Sequence, residues 1–426
     1  MNATRREFLK AIGASTELSL GAGAPAFLGG LGASLRGRAL AGESENTGTG
    51  SGRVLVAIQL TGGNDGLNTL VPYEDDAYAR SRPTLRLRSE QVLKLDGGLG
   101  LHPEMAALRK VFDTGRLAIL QGVGHAGSSR DHDIALRDWH TARPGDASCQ
   151  TGWLGRAADL ARRPCDPEAP AAFVGPIDQP FALNARRTTV SAIRSLREPA
   201  LRAPDGADGA ADHLARLSEA ALSPRAGGGS PLLEHLCRSA RAAAERSRRI
   251  ETLASTYGEQ GGAPFPLART LRTVTGLIRA DCGVRIYLVE LGGGGIGGFD
   301  SHANQGANHG ALLQQLSESM AAFLRDLDRD GLLDRVLLLT FSEFGRTLGE
   351  NGRHGTDHGA AAPIFLAGGA VKGGIVGALP SLTDLDQGGL ESHTDFRRVY
   401  ATALGRWLGY DARAILGEAF EPLDVL

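Results

Sequence analysis

Five short runs in this chain are apolar along almost their whole length: residues 53–60 (RVLVAIQL), 116–121 (RLAILQ), 284–291 (VRIYLVEL), 336–341 (VLLLTF) and 363–367 (PIFLA). A strand with one wet face alternates apolar and polar residues, whereas a run with no polar side reads as a strand buried on both faces. Between the runs lie helical patterns. Met105, Leu108 and Phe112 share one spacing, and Leu312, Leu313, Leu316, Met320, Phe323, Leu324 and Leu327 make one long stripe. Phe396, Val399, Ala403, Leu404 and Trp407 form a closing amphipathic segment. Pro103 lies near one predicted helix start, with Gly115 and Gly331 just past helix ends. Strands alternating with helices predict an α/β fold with a mostly parallel sheet covered on both faces. In such sheets ligands bind at the carboxyl ends of the strands. Residues 190–265 differ, being rich in Ala and Arg, and are expected to form a helical insertion or cap.

Composition narrows the function. The chain has 426 residues, 42% hydrophobic and 22% charged, enough for a large core. Glycine is abundant at 59 residues but shows no Gly-X-Y period, so it serves turns rather than a collagen-like repeat. The net charge is −2, with no basic domain, which argues against nucleic-acid binding. Four cysteines (Cys149, Cys165, Cys237, Cys282) have no CxxC spacing, which excludes a zinc ribbon or a thioredoxin-type motif. They read as buried free thiols, or, in an exported protein, as one Cys149–Cys165 disulfide.

The N-terminus reads as an export signal. Thr4-Arg5-Arg6-Glu7-Phe8-Leu9-Lys10 resembles the twin-arginine (Tat) consensus, a weakly apolar stretch follows, and Ala39-Leu40-Ala41 offers a cleavage site. The expected organisation is a signal peptide at 1–41, a linker at 42–52 and a mature domain at 53–426. Periplasmic or secreted localisation through the Tat translocase follows. No other segment has 18 apolar residues, so no transmembrane helix is expected.

Polar motifs cluster beside the predicted strands. Thr61-Gly62-Gly63-Asn64-Asp65-Gly66 follows the first run and would put Asp65 at the sheet edge, or else Asn-Asp-Gly merely caps a turn. Phe299-Asp300-Ser301-His302 follows a glycine-rich stretch. In extended backbone, Asp300 and His302 point the same way and could share an ion such as Zn²⁺ or Mn²⁺. The Gly293, Gly295 and Gly298 spacing is not read as a dinucleotide loop, because no helix follows directly. Glu343 ends the VLLLTF run, and Arg346 could bind an oxyanion, or the two could form an ordinary surface pair. His354-Gly355-Thr356-Asp357-His358 is a dense His/Asp loop that suits metal or catalytic chemistry. Ser128, Ser129, Asp131 and His132 open a helix, where a serine would be either an activated nucleophile or an N-cap. His393 is expected to lie at the N-cap region of the last helix, and His213, His235 and His309 on the surface.

The motifs LTGGNDGLNTLVP, GGFDSHANQ, SEFGRT and GTDHG, in this order, resemble the DUF1501 family of exported bacterial proteins, a family of unknown function grouped with the alkaline phosphatase/sulfatase-like superfamily. The resemblance implies a three-layer α/β/α sandwich and a site for one or two divalent metal ions (Zn, Mn, Mg or Ca). It implies metal roles for Asp65, Asp300, His302, Glu343 and His358. A histidine usual for the superfamily is Phe344 here, so either Asp357 or His354 replaces it or the second metal is absent. The superfamily's nucleophile falls where this chain reads Asp131-His132, so Ser128, Ser129 or a water would have to attack. The expected function is therefore hydrolysis of phosphate or sulfate esters, small or glycan-borne. The alternative is a non-catalytic binding or secretion-accessory protein on the same fold.

Overall fold

The computed structural model describes residues 52–161, 170–176, 178–188, 190–193, 264–281, 283–292 and 298–426. The chain divides into two compact units, one of Gly48–Ser191 with Gly261–Leu426 and the other of Met1–Thr47 with Ala192–Gln260. The first is described here. The expected signal peptide, nearly all of the linker and of the 190–265 insertion, Cys165, Cys237, Cys282, His213, His235, Gly293 and Gly295 lie outside the described residues.

The strands around the site are β1 (Val54–Leu60), β2 (Leu117–Gly124), β3 (Ala171–Val174), β4 (Ile286–Leu291), β5 (Val336–Phe341), β6 (Arg346–Glu350), β7 (Thr356–His358), β8 (Ala362–Ala367), β9 (Gly374–Val376) and β10 (Thr394–Asp395). Among the described residues the α-helices of six or more residues are α1 (Asp76–Ser81), α2 (Ala106–Asp113), α3 (His132–Thr141), α4 (Trp153–Ala161), α5 (Pro266–Arg279), α6 (Gln305–Arg329) and α7 (Phe396–Ala401). The central sheet runs β9-β2-β8-β5-β1-β4-β3, and β10 also pairs β2. β1 lies parallel to both β4 and β5, as β3 does to β4 and β9 to β2. Every residue of β1, β2 and β5 is buried, as their apolar runs demand.

One strand breaks the parallel rule. β8 runs antiparallel to β5 and β2. Between β5 and β8 the chain makes the β6–β7 excursion and no helix, so it returns to the sheet reversed. Helices cover both faces. Leu55 and Ala57 of β1 share one core with Trp139 of α3, Trp153 and Ala157 of α4, and Phe396 and Tyr400 of α7. Trp153 stacks on Tyr400 at 3.9 Å and Trp139 on Phe396 at 4.3 Å. On the other face α5 packs against β4 and β3, and α6 against α5 and α2.

Three expectations are settled here. Cys149 is a buried free thiol whose Sγ sits 3.3 Å from the Thr151 carbonyl. His309 is not on the surface. It lies on the face of α6 that carries Leu313 and Leu316, is 1% exposed, and places Nε2 3.1 Å from Asn64 Oδ1. Helical spacing puts it one turn beyond buried Gln305. His393, expected to cap or pack there, does not cap α7: Asp395 does, through Arg397 N, and the His393 ring meets the Ala378 carbonyl (2.8 Å).

Burial pushes three histidines far below the usual imidazole range: His140 and His309 to about 3 and His102 to about 4. The unfolded chain binds protons at these positions from about pH 6.5 downward and the fold does not, so stability falls as pH drops below that value. His132, whose pKa is raised, acts the other way, but only above about pH 6.5. Denaturant melts at pH 7 and pH 5 should differ, each of the three buried histidines contributing up to about 1.4 kcal/mol per pH unit below that value. Equal stability at the two pH values would refute this.

Candidate metal centre

β1, β4 and β5 end level with one another, Gln59 pairing with both Glu290 and Phe341. Their following loops therefore meet. After β1 the chain turns through Gly62 and Gly63 in left-handed backbone (φ +114° and +81°). A Cβ on Gly62 would lie 2.4 Å from Asp300 N, and one on Gly63 would lie 2.3 Å from the Phe344 ring, so only glycine fits. The turn lets Arg346, its side chain fully buried, donate to the carbonyls of Gly62, Gly63 (2.8 Å), Phe299 (3.1 Å) and Thr356 (3.0 Å), and to Asp300 Oδ1 (2.7 Å).

Asp300 Oδ1 is the centre of the site. His302 Nε2 lies 3.0 Å from it, His358 Nε2 3.1 Å and His132 Nε2 3.5 Å. The ligating atoms of His132, Asp300 and His358 all fall within 4.8 Å of one another. Each imidazole is oriented from behind. His132 Nδ1–H donates to Glu343 Oε1 (3.0 Å), His302 Nδ1–H to Asp357 Oδ1 (3.2 Å), and His358 Nδ1–H to the Arg130 carbonyl (2.5 Å). These partners only accept, so the proton of each neutral ring is assigned to Nδ1 and Nε2 keeps its lone pair. Phe344 packs against His358 (4.6 Å, 30° between planes) and His132 (4.9 Å), fixing both rings.

This donor set is unfavourable when empty. Three imidazole lone pairs face one carboxylate oxygen, with His302 and His358 Nε2 only 2.8 Å apart. His132 Nε2 is buried and has no hydrogen-bond partner. A shared cation, or an added proton, is what such an array needs. The electrostatics agree. Burial pushes the Asp300 carboxyl up, but Arg346, His358 and His302 outweigh it and hold it down at about 2. The hydrogen bond that His132 donates to Glu343 raises its pKa despite burial.

The fold thus gathers Asp300, His302, His358 and His132, and sets Glu343 and Asp357 behind them as acceptors. Glu343 also receives Gly62 N (2.8 Å), and Asp357 receives Asn351 Nδ2 (3.0 Å). Asp65 is placed otherwise. It is 2% exposed, and its two oxygens take Arg82 Nη1 (2.6 Å) and Nη2 (2.9 Å), with Gln305 Nε2 at 2.5 Å. Burial pushes it up, and Arg82 more than reverses that, so its pKa is lowered. The carboxylate expected to bind metal is committed to a buried ion pair. Arg346, expected to meet an oxyanion, spends its donors on the strand-end loops. Ser129 Oγ accepts from Asp131 N (3.1 Å), Ser128 lends its carbonyl to Arg130 (3.3 Å), and Asp131 caps α3 through Ile134 N (3.1 Å). His354 turns to Thr84 Oγ1 (3.1 Å). Sequence reading missed Arg82, which follows α1 with no motif around it. It also missed Gln305 and Asn351, although Gln305 closes the GGFDSHANQ motif.

The family described as Protein of unknown function (DUF1501) matches residues 53–418, and the chain belongs to it. Among solved structures the chain is similar to the PsFucS1 sulfatase from Pseudoalteromonas sp. (11% identity, 87% of this chain and 71% of that chain covered, TM-score 0.38). It is also similar to a protein in the alkaline phosphatase superfamily from Vibrio parahaemolyticus (10% identity, 86% and 69% covered, TM-score 0.37). A third is alkaline phosphatase from the Antarctic bacterium TAB5 (10% identity, 76% and 94% covered, TM-score 0.35). No curated protein matches.

The Asp65–Arg82 pair supports the loop beneath the site. Arg82→Met leaves a carboxylate buried and unpaired, which should cost about 3–5 kcal/mol, and the double variant Asp65→Leu/Arg82→Met should recover part of it. Urea unfolding measures both. A loss below about 1 kcal/mol in Arg82→Met would show the pair to be dispensable.

Proposed function

We propose that this protein is an exported metal-dependent hydrolase of phosphate or sulfate esters, acting on a small-molecule or glycan-borne substrate. The observation that carries the reading is the convergence of three oriented imidazole nitrogens on Asp300 Oδ1, with His132 Nε2 buried and unpartnered. His132, Asp300, His302 and His358 would hold the ion. Imidazole-rich ligation favours Zn²⁺ or Mn²⁺ over Mg²⁺ or Ca²⁺, which prefer oxygen. When bound, such an ion supplies Lewis-acid polarisation of an ester oxygen.

The chain's own residues supply orientation. Glu343 and Asp357 keep the protons of His132 and His302 on Nδ1, and Arg346 holds Asp300 ionised. The ester class rests on the resemblance of the strand-end motifs to the alkaline phosphatase/sulfatase-like superfamily. Ser129 Oγ is engaged by Asp131 N, so water is the better attacking species than a chain hydroxyl. The Thr4–Lys10 motif supports Tat export and a periplasmic or secreted location. Among the described residues no helix is long and apolar enough to cross a membrane.

A second reading, a metal-binding protein without turnover, is favoured by two observations. Arg346 is buried and turns all three of its nitrogens to loop carbonyls and Asp300, and α3 caps itself with Asp131. Metal content separates these readings first. Elemental mass spectrometry of protein purified without chelator should find roughly one transition-metal ion per chain, absent from Asp300→Ala/His358→Ala. Turnover of aryl phosphates or sulfates that disappears in Asp300→Ala establishes the hydrolase; metal with no turnover across a broad ester panel establishes the second reading. No metal, even after reconstitution, removes the hydrolase. Glu343→Gln should weaken metal affinity about 10–100-fold while retaining the fold, because the partner orienting His132 is altered. Unchanged affinity in a chelator competition would remove Glu343 from this role.

A further inference from the structure

The segments that carry His302 and His358 are laced together by their backbones. Asn304 N donates to the Arg353 carbonyl (3.0 Å), Gln305 N to the His354 carbonyl (2.9 Å) and Thr356 N to the Ser301 carbonyl (3.2 Å). A Cβ on Gly355 would lie 2.2 Å from His302 C, so the two chains touch there. The side chain that aims His302 is less secure. Asp357, the acceptor behind its Nδ1, is 61% exposed. An exposed carboxylate has water to bond and rotamers to visit, so unaided it would aim a ring poorly.

Asn351, the residue after β6, supplies the missing hold. Its Oδ1 accepts from Arg353 N (3.0 Å) and Gly355 N (3.1 Å). Its Nδ2 donates to the His302 carbonyl (3.1 Å) and to Asp357 Oδ1 (3.0 Å). These partners fix which amide atom is which, because a backbone N–H only donates and a carbonyl or carboxylate only accepts. An amide has two lone pairs and two N–H groups, and all are engaged.

The two halves of the amide do different things. The oxygen shapes the turn between β6 and β7. The nitrogen ties that turn to the site, gripping His302 by its own carbonyl and by the carboxylate that receives its Nδ1–H. Asp357 also precedes His358, so the grip reaches both imidazoles, whose Nε2 atoms face each other at 2.8 Å. Aspartate in place of Asn351 would keep the turn acceptor and lose both donors, and serine would offer one donor.

We propose that Asn351 is a positioning residue of the metal centre. It holds Asp357 where His302 keeps its proton on Nδ1, and so sets the spacing of the His302 and His358 nitrogens that face the ion. This rests on the metal-centre reading of the site.

The test separates the halves of the amide. Asn351→Asp keeps the turn acceptor and removes the donors, whereas Asn351→Ala removes both. Asn351→Asp/Asp357→Asn reverses the pair, so that residue 357 donates to residue 351 and still accepts from His302. In full-length, chelator-treated protein labelled with 15N-histidine, ring nitrogen shifts show which nitrogen of His302 carries the proton. Its signals are identified by their absence from His302→Gln. Competition with a fluorescent chelator gives zinc affinity. The expected result is an Nδ1 proton on His302 in the unchanged protein and in the double variant, and its loss in Asn351→Asp. Zinc affinity should fall about tenfold or more in Asn351→Asp and return in part in the double variant. The added negative charge would by itself favour a cation, so such a loss reports geometry. The urea midpoint should drop in Asn351→Ala and stay near the unchanged value in Asn351→Asp. An unchanged tautomer or an unchanged zinc affinity in Asn351→Asp would overturn the proposal. So would zinc losses that merely follow the urea midpoint, or no recovery in the double variant, since either makes Asn351 a turn former only. If the unchanged protein binds no zinc, the metal reading itself fails, and the His302 tautomer alone decides whether Asn351 sets the ring.

Discussion

The Arg346 guanidinium, with no solvent exposure, reaches four carbonyls and one carboxylate across the ends of β1, β4 and β7. An arginine cannot shed its proton to escape burial, so it must be surrounded by acceptors. Those acceptors are the backbone of the very loops that carry the site. The cation therefore acts as a strut: it sets the turn at Gly62 and Gly63, the position of Asp300, and the approach of Thr356 two residues before His358. Through Asp300 it also fixes where negative charge sits at the sheet edge. The histidines gather around that charge.

Each histidine is then aimed by a different device. Glu343 stands at the end of β5 and reaches His132 on a helix that begins elsewhere in the fold. Asp357 reaches His302 and is itself held by Asn351. His358 leans on the Arg130 carbonyl, and the Arg130 side chain is tied to Asp386 (2.8 Å). The Phe344 ring fills the space beneath two imidazoles, and Gly63 is glycine because that ring leaves no room for a Cβ. The polar centre is thus supported by packing on one side and by hydrogen bonds on the other. Such support is needed to keep like lone pairs facing one another.

Much of this was legible in the sequence because it is local. The buried strands announced themselves as unbroken apolar runs, and the i, i+2 spacing of Asp300 and His302 survives in the fold as a 3.0 Å contact. The His354–His358 segment delivered His358 to the centre for the same reason, being a short turn that runs straight into β7. What could not be read is non-local. Asp65 looked like a ligand because it follows a strand, but its partner Arg82 lies 17 residues on with no motif to mark it. Arg346 looked like an anion binder because nothing in SEFGRT reveals that four carbonyls close over it. His309 looked isolated because its partner, Asn64, is 245 residues away. The reversal of β8 follows from a missing crossover helix, a feature visible only once β6 and β7 are recognised as a hairpin excursion.

Phe344 and the start of α3 are connected in space. The Phe344 ring lies against His132 at 4.9 Å. Asp131 is the cap of α3 and His132 its first helical residue. The cap carboxylate meets the positive end of α3, where an anionic group would otherwise gain. The two neighbours therefore act in opposite directions: His132 brings a nitrogen donor to Asp300, while Asp131 closes the helix N-terminus with a negative charge, so an anion approaching that end meets like charge.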